Sequence, residues 1–542
     1  MTGFFYGKKG RAVYPFFVCL FPMLMALYCC IIKSGGFVDE YWSNGFANSS
    51  KGNNLMVVFD GDVTHRVITQ GDLNEYISVD ADEAFSFSYI LKNCSNDLTP
   101  PLYYFILHLI SSFFPLTVSK WFGLSINLVA FLVTLLFLYQ VSFILFKSRW
   151  VSSLVTLCYG FSIGGLNNVT YIRMYAMVTM WSIILLYSIL KLVRDEGWWY
   201  YVITGVVIYL GFLTQYNFGI FAFVFCAETC ILLLCRKKIK KFLIFSASAL
   251  SGVIAFFITW PHLFTQTDKA GQLNGKGDSG LFISLYYWGS VLGRQMETEL
   301  LLLCILVILI SVLSVLTKTK VKDVYREIKG RLVLSECIMV LTGGILSLVV
   351  TAYFAPFFSA RYCFNAMPVL TLILGLLFWL FRLLLEKYFA NKDKIINMNI
   401  VGVLFAAVAV IGAANLSEMK YLYLDNSEKL LVTDAVSSYP CIFINTNHDK
   451  AITNSIDHLV KFKDFYVTDK LTREEYDSYV KSRPDNVGMV VFVDRDPIGS
   501  SGLDSDEVMT EIAEMQLYDT ILVLYELDSV TAFLLYDSEL AE

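Results

Sequence analysis

Apolar runs of roughly twenty residues recur along this 542-residue chain, and that is the length a helix needs to cross the hydrocarbon of a bilayer. They lie near 12–32, 118–146, 150–169, 173–193, 198–213, 215–235, 242–261, 299–317, 333–354, 361–384 and 395–416, eleven in all. A water-soluble globule has nowhere to bury so many. Composition agrees: 56% of residues are apolar and 16% charged, against about 25% charged in an ordinary soluble domain. Disorder, a coiled coil and a disulfide-stapled secreted module are excluded on the same figures. The predicted fold class is a polytopic α-helical membrane protein of about 11 spans. Lys8, Lys9 and Arg11 precede the first run as they would in a signal peptide. No small-residue cleavage site follows, so the run reads as an anchor.

Basic residues in short loops orient such a chain. With the N-terminus inside, the inner loops hold 22 Lys and Arg, against five in the short outer loops: Arg173, Lys269, Lys276, Arg294 and Arg361. This predicts a multi-pass protein of the plasma membrane with a cytoplasmic N-terminus. The odd span count places the C-terminal segment outside. The run 100–115 is short and bounded by Pro100, Pro101 and Pro115. Counting it as a span would reverse every later loop. It therefore reads as an interfacial helix lying on the membrane within one long outer loop, 33–117. A second outer loop, 262–298, is glycine-rich (Gly271, Gly275, Gly277, Gly280) and then aromatic (Tyr286, Tyr287, Trp288).

The net charge of −5 conceals two different objects. Residues 417–542 carry 10 Lys and Arg against 25 Asp and Glu, a balance of −15, which leaves +10 for residues 1–416. The expected domains are a membrane domain over 1–416 and an acidic, extracytoplasmic α/β domain over 417–542. In that tail 441–445, 464–469 and 487–494 read as buried strands, while 450–462, 471–482 and 504–516 read as helices. The last stretch reads as a hairpin turning near Asp528-Ser529. There is no P-loop or glycine fingerprint for a nucleotide. No basic domain stands outside the membrane, so nucleic acid is excluded as a partner. Ten of the 12 cysteines lie in apolar runs, where cysteine behaves as a small hydrophobe. Cys94 and Cys441 lie in polar surroundings and read as free thiols or a bridge. His65, His108, His262, His448 and His458 show no ligand spacing for zinc.

The topology gathers polar residues at the outer face. Asp39 and Glu40 follow the first span, Asp97 precedes Pro100-Pro101, and Arg173 and Arg361 stand at outer span ends. Arginine binds phosphate with a planar fork, and a carboxylate can take a proton from an attacking hydroxyl. A lipid phosphate would sit at this depth because its tail stays in the bilayer. The bland readings are solvated acids and arginines reaching for headgroups. Against them, both arginines run counter to the positive-inside trend. Asp82 and Glu83 read as a solvated helix start. Glu228, inside a span, needs a partner or a cavity.

These segments resemble a known group. "GFVDEYWSNGFANS" (36–49) follows the first span, and "NDLTPPLYYFILHLISSFFP" (96–115) resembles the "DVHPPLYY" segment of family 39-like glycosyltransferases. "YIRMYAM" (171–177) resembles their "RMY" motif, "GFLTQYNFGIFAF" (211–223) their "LTHYY", and "FAPFFSARYCFNAMP" (354–368) their late "RY…P" segment. Order and spacing match over most of 1–385, and the chain resembles bacterial members of the GT-C superfamily. Protein O-mannosyltransferases and aminoarabinose transferases belong to that group.

The resemblance implies sugar transfer from a polyprenyl-phosphate carrier to an acceptor hydroxyl outside the cytoplasm, with inversion. Asp39 takes the place of the base, with Glu40 beside it and Asp97 orienting acceptor or base. Arg173, Arg361, Tyr362, Tyr175 and Gln215 take the places of the lipid-phosphate site. Two family histidines are replaced, by Thr99 and Gln215, which hydrogen-bond but carry no proton or charge. No cofactor is required by the pattern. Asp39, Glu40 and Asp97 have the chemistry of divalent-cation ligands, yet no spacing demands a metal. The expected partners are the polyprenyl-phosphate-linked donor, membrane lipids and a cell-envelope glycan, lipid or protein as acceptor. Alternative readings are a non-catalytic scaffold of the same fold, or a transporter or lipid flippase. A transporter would show paired repeats and mid-membrane charges, and the sequence shows no repeats.

Overall fold

The computed structural model describes residues 8–264 except 60, then 266, 281–319, 322–323, 326–327, 332, 334–389, and 419–538 apart from 446–448, 484–486, 496–504 and 516. The predicted span 395–416 and the glycine-rich stretch 271–280 lie outside the described residues.

Among the described residues eight helices are long and apolar enough to cross a membrane: Tyr14–Ile32, Lys120–Phe146, Tyr175–Val193, Phe218–Cys235, Ile239–Thr259, Glu297–Leu316, Leu334–Phe354 and Met367–Tyr388. The expectation of about 11 spans meets two local differences besides the run outside the described residues. Trp199–Thr214 is apolar but 16 residues long. The run 150–169 is two helices, Arg149–Phe161 and Ile163–Thr170. The backbone is extended at Ser162, whose hydroxyl accepts from Gly165 N–H at 3.0 Å and so caps the second helix. An N-cap serine offers the backbone an alternative to continuing the helix. Tyr286, Tyr287 and Trp288, expected in a loop, fall on the helix Leu281–Gln295.

The chain divides into two compact units. The first holds Met1–Ile31, Leu98–Tyr103 and Gly123–Lys420. Its helices approach closely where side chains are small, as expected where dispersion rather than water drives association. Trp199–Thr214 and Ile239–Thr259 meet at Gly205 and Gly252, where a Cβ on Gly252 would lie 2.3 Å from the Gly205 carbonyl oxygen.

The second unit joins Ile32–Asp97 and Tyr104–Phe122 to Tyr421–Glu542. The expected boundary at residue 417 therefore separates segments that fold together: part of the stretch 33–117 is built into the C-terminal sheet. That sheet has six strands: β1 (Arg66–Thr69), β2 (Cys441–Ile444), β3 (Asp464–Thr468), β4 (Gly488–Asp494), β5 (Thr520–Glu526) and β6 (Val530–Tyr536). Their order is β1-β3-β2-β4-β6-β5. The pairs β2–β3 and β2–β4 are parallel, and the other three are antiparallel. The tail strands and the β5–β6 hairpin match the sequence reading.

Side chains alternate across the sheet. Ile442, Ile444, Val491 and Val493 pack with Tyr476, Val480 and Ile512 on one face. Cys441, Phe443, Val490 and Phe492 face the other way, and there the segment 33–97 supplies Tyr41, Leu55, Ile68, Leu73 and Tyr76. Cys94 and Cys441 are both buried, and neither is in a disulfide.

His458 is buried in this second unit. Asn426 gives its amide N–H to the Ser34 carbonyl (3.1 Å), so its oxygen faces His458 Nε2 (3.0 Å). Nε2 must then carry the proton, and Nδ1 accepts from the Thr433 hydroxyl (2.8 Å), which bonds Tyr525 in turn (2.6 Å). Burial, then Lys429 and Lys461, depress its pKa to about 4. The unfolded chain takes this proton near pH 6.5 and the folded one near 4, so stability falls as the pH drops through that window. The loss is on the order of 3 kcal/mol. Melting followed from pH 7 to 4 should show a falling transition that His458→Gln flattens; parallel curves would refute the assignment. Burial raises the pKa of neighbouring Asp457 and acts in the opposite sense, so the comparison with His458→Gln is the decisive one.

Candidate functional site

In the first unit the candidate residues gather around a bend. The short helix Ile163–Thr170 ends at Tyr171, the backbone turns with Arg173 N–H donating to the Tyr171 carbonyl (2.7 Å), and the next helix starts at Tyr175. Asn127 holds this bend, its amide donating to the carbonyls of Val169 (3.0 Å) and Tyr171 (2.6 Å). Arg173, on the bend, is 7% exposed. Arg361 lies in a 3₁₀ turn, Ala360–Cys363, just before the helix Met367–Tyr388.

Arg361 Nη1 donates to the Tyr171 hydroxyl at 3.0 Å, and its guanidinium lies over the Tyr362 ring at 5.3 Å. Tyr171 stacks on Tyr175 at 5.8 Å, and Tyr175 meets Tyr362 edge-on at 6.4 Å. The structure thus brings Arg361, Tyr362 and Tyr175 together, with Arg173 on the same bend. A hydrogen bond along one edge and a ring beneath its plane restrict the guanidinium to one orientation. Tyr171, the aligning residue, was not singled out in the sequence; its place at the head of "YIRMYAM" was the available signal.

Gln215 is not part of that cluster. It ends the helix Trp199–Thr214, and its side-chain oxygen accepts from Tyr216 N–H at 2.8 Å. Tyr216 in turn bonds Trp260 Nε1 (2.7 Å) and Gln266. Thr99 is buried, and its hydroxyl has no hydrogen-bond partner among the described residues. Glu228 has the partner that a carboxylate inside a span requires, the Thr342 hydroxyl at 2.8 Å.

In the second unit Asp39 and Glu40 lie in the first turn of the helix Val38–Asn48, where carboxylates meet the positive end of the helix dipole. Asp39 is 5% exposed. Glu40 is committed locally: it accepts from Phe37 N–H at 2.7 Å and pairs with Lys33 Nζ at 3.0 Å. Lys33 also donates to the Tyr421 carbonyl at 2.6 Å. Asp97 is half-buried at the end of the helix Ser88–Asn96, its N–H donating to the Cys94 carbonyl at 3.3 Å. Among the described residues no group of three or more His, Cys, Asp or Glu is arranged to hold a metal ion. Asp39, Glu40 and Asp97 do not form such a set, and Lys33 occupies Glu40.

The Lys33–Glu40 pair is almost wholly buried. Removing the cation leaves a carboxylate in a dry site, which costs about 3–5 kcal/mol. Lys33→Ala should therefore lower the unfolding midpoint sharply, and the double substitution Lys33→Met/Glu40→Gln should recover much of the loss. A Lys33→Ala protein as stable as wild type would show that the pair holds nothing.

No family model matches this sequence, and no curated protein matches it. Among solved structures the chain is similar to ArnT from Cupriavidus metallidurans bound to undecaprenyl phosphate, at 10% identity over 97% of this chain and 98% of that one, with a TM-score of 0.47. The apo state of the same protein gives 9% identity and a TM-score of 0.46. The archaeal oligosaccharyltransferase AglB from Archaeoglobus fulgidus, in complex with an inhibitory peptide and a dolichol-phosphate, gives 11% identity over 89% of this chain and 70% of that one, with a TM-score of 0.42.

Proposed function

We propose that this protein is a membrane glycosyltransferase that moves a sugar from a polyprenyl-phosphate carrier to an acceptor hydroxyl at the outer face of the plasma membrane. The observation that carries the reading is the oriented arginine. Arg361 is set by Tyr171 and Tyr362 beside Tyr175, and Arg173 stands on the bend that carries Tyr171 and Tyr175. Such fixed donors suit a phosphate that gains charge as it leaves, because they need no reorganisation.

In this reading Asp39 takes the proton of the acceptor hydroxyl as its oxygen attacks the anomeric carbon. The bond from that carbon to the phosphate oxygen breaks, and the electron pair departs with the polyprenyl phosphate, which needs no protonation near neutral pH. Arg361 and Arg173 hold the departing phosphate, and Tyr362 and Tyr175 shape its surroundings. In-line attack inverts the anomeric centre. Asp97 orients acceptor or base. Glu40 holds the loop through Lys33, and Gln215 serves the neighbouring Tyr216 network.

The test is a transfer assay with purified full-length protein, a panel of polyprenyl-phosphate sugars and cell-envelope acceptors. Transfer with an inverted product is expected. Absence of turnover with every donor, together with retained folding, would favour a scaffold. Donor movement between leaflets without transfer would favour a flippase.

A further inference from the structure

The C-terminal segment received no chemical role above, yet it grips the short stretch of chain that carries Asp39. Between Lys33 and Tyr41 the second unit makes four kinds of contact with residues 421–458. The Ser34 amide donates to the Leu422 carbonyl at 3.0 Å, and Asn426 returns a bond to the Ser34 carbonyl at 3.1 Å. Lys33 reaches the Tyr421 carbonyl at 2.6 Å. The Phe37 ring meets the Tyr421 ring edge-on at 6.1 Å. Finally, the Asp457 carboxylate accepts the Gly36 N–H at 3.2 Å, and its charge bears on the buried Tyr41 hydroxyl.

The last contact lies beside the candidate base. Gly36 is three residues before Asp39, so the Asp457 carboxylate fixes the backbone on the N-terminal side of that helix turn. Burial, then the Asp457 charge, hold the Tyr41 hydroxyl well above the usual phenol range. Asp457 is itself anchored, since it belongs to the short helix Ile456–Leu459, whose Ile456 and Leu459 pack in the core beneath the sheet. Next to it, His458 ties Asn426 to Thr433 and, through it, to Tyr525 on β5.

We propose that Asp457 is a positioning residue for the transfer reaction, which through the Gly36 amide holds Asp39 in its working place, so that the C-terminal segment is part of the catalytic apparatus. This rests on the reading of Asp39 as the base. A general base works only when its oxygen is held within hydrogen-bond reach of the proton it takes, and misplacement by about 1 Å can cost on the order of 10²-fold.

The experiment compares full-length wild type with Asp457→Ala, Asp457→Asn, Tyr41→Phe and Asp39→Asn in one detergent. Hydrogen exchange over peptides spanning 33–41 should quicken at least about tenfold in Asp457→Ala, while peptides from the spanning helices stay unchanged. In the transfer assay kcat should fall about 10- to 100-fold with KM for the lipid donor unchanged. Asp457→Asn, which keeps one acceptor oxygen, should recover part of both. Tyr41→Phe removes the hydroxyl on which the Asp457 charge bears without touching Asp457, and it serves if Asp457→Ala fails to fold. Unaltered exchange over 33–41, or kcat within about twofold of wild type in both Asp457→Ala and Tyr41→Phe, would overturn the proposal. If instead exchange quickens but Asp39→Asn transfers normally, the hold on the backbone stands and the assignment of the base is what fails.

Discussion

Asp39→Asn should lower transfer by at least about 10²-fold, the usual weight of a general base, in a protein that still folds. The substitution keeps the shape of the side chain and the helix start, and it removes the capacity to accept a proton. Neighbouring carboxylates make poor substitutes. Glu40 is tied to Lys33 and the Phe37 amide, and Asp97 sits at the end of another helix. The loss should therefore fall on kcat. It should also persist at high pH, where a merely perturbed base would recover. Normal turnover of Asp39→Asn would remove Asp39 from the reaction.

The second large effect is expected at Arg361. Arg361→Ala deletes one oriented donor to the departing phosphate, and loss of a single such donor typically costs 10²–10³-fold in kcat. Arg361→Lys is the more informative variant. Lysine keeps the charge but lacks the planar fork, so it cannot reproduce both the bond to Tyr171 and the stacking on Tyr362. If orientation matters, Arg361→Lys should stay within about tenfold of the alanine variant, and Tyr171→Phe should reproduce a smaller part of the loss. A fully active Arg361→Lys protein would mean that charge alone suffices. An active Arg361→Ala protein would remove the residue from the phosphate site.

Some of this was legible in the sequence and some was not, for physical reasons. Apolar runs announce spans because length and composition alone decide whether a helix suits a bilayer. The strand "VGMVVFVD" was visible for a similar reason: it is buried on both faces of the sheet, so it reads as a continuous apolar run rather than an alternating one. The break at Ser162 was hidden, since one serine between two apolar stretches carries a weak signal. The strand Arg66–Thr69 was hidden more deeply. Four residues with one buried side chain say little alone, and their partner in β3 lies nearly 400 residues away.

The site divides along the same line. Arg173 and Arg361 could be found because they break a charge trend. Lys33 and Asp457 could not, because their meaning comes from partners: Tyr421 and the Gly36 amide lie 388 and 421 residues away.

The pairing of β1 with β3 also sets the timing of folding. At a synthesis rate of about 5–20 residues per second, the interval between Thr69 and Asp464 takes about 20–80 s to make. Until then Ile68, Leu73 and Tyr76 have no sheet to cover. The segment around β1 must wait, apolar face open, while most of the helical bundle is made. Contacts of such long sequence separation are slow to form once available, so this waiting segment is where holding factors would act and where misassembly would begin.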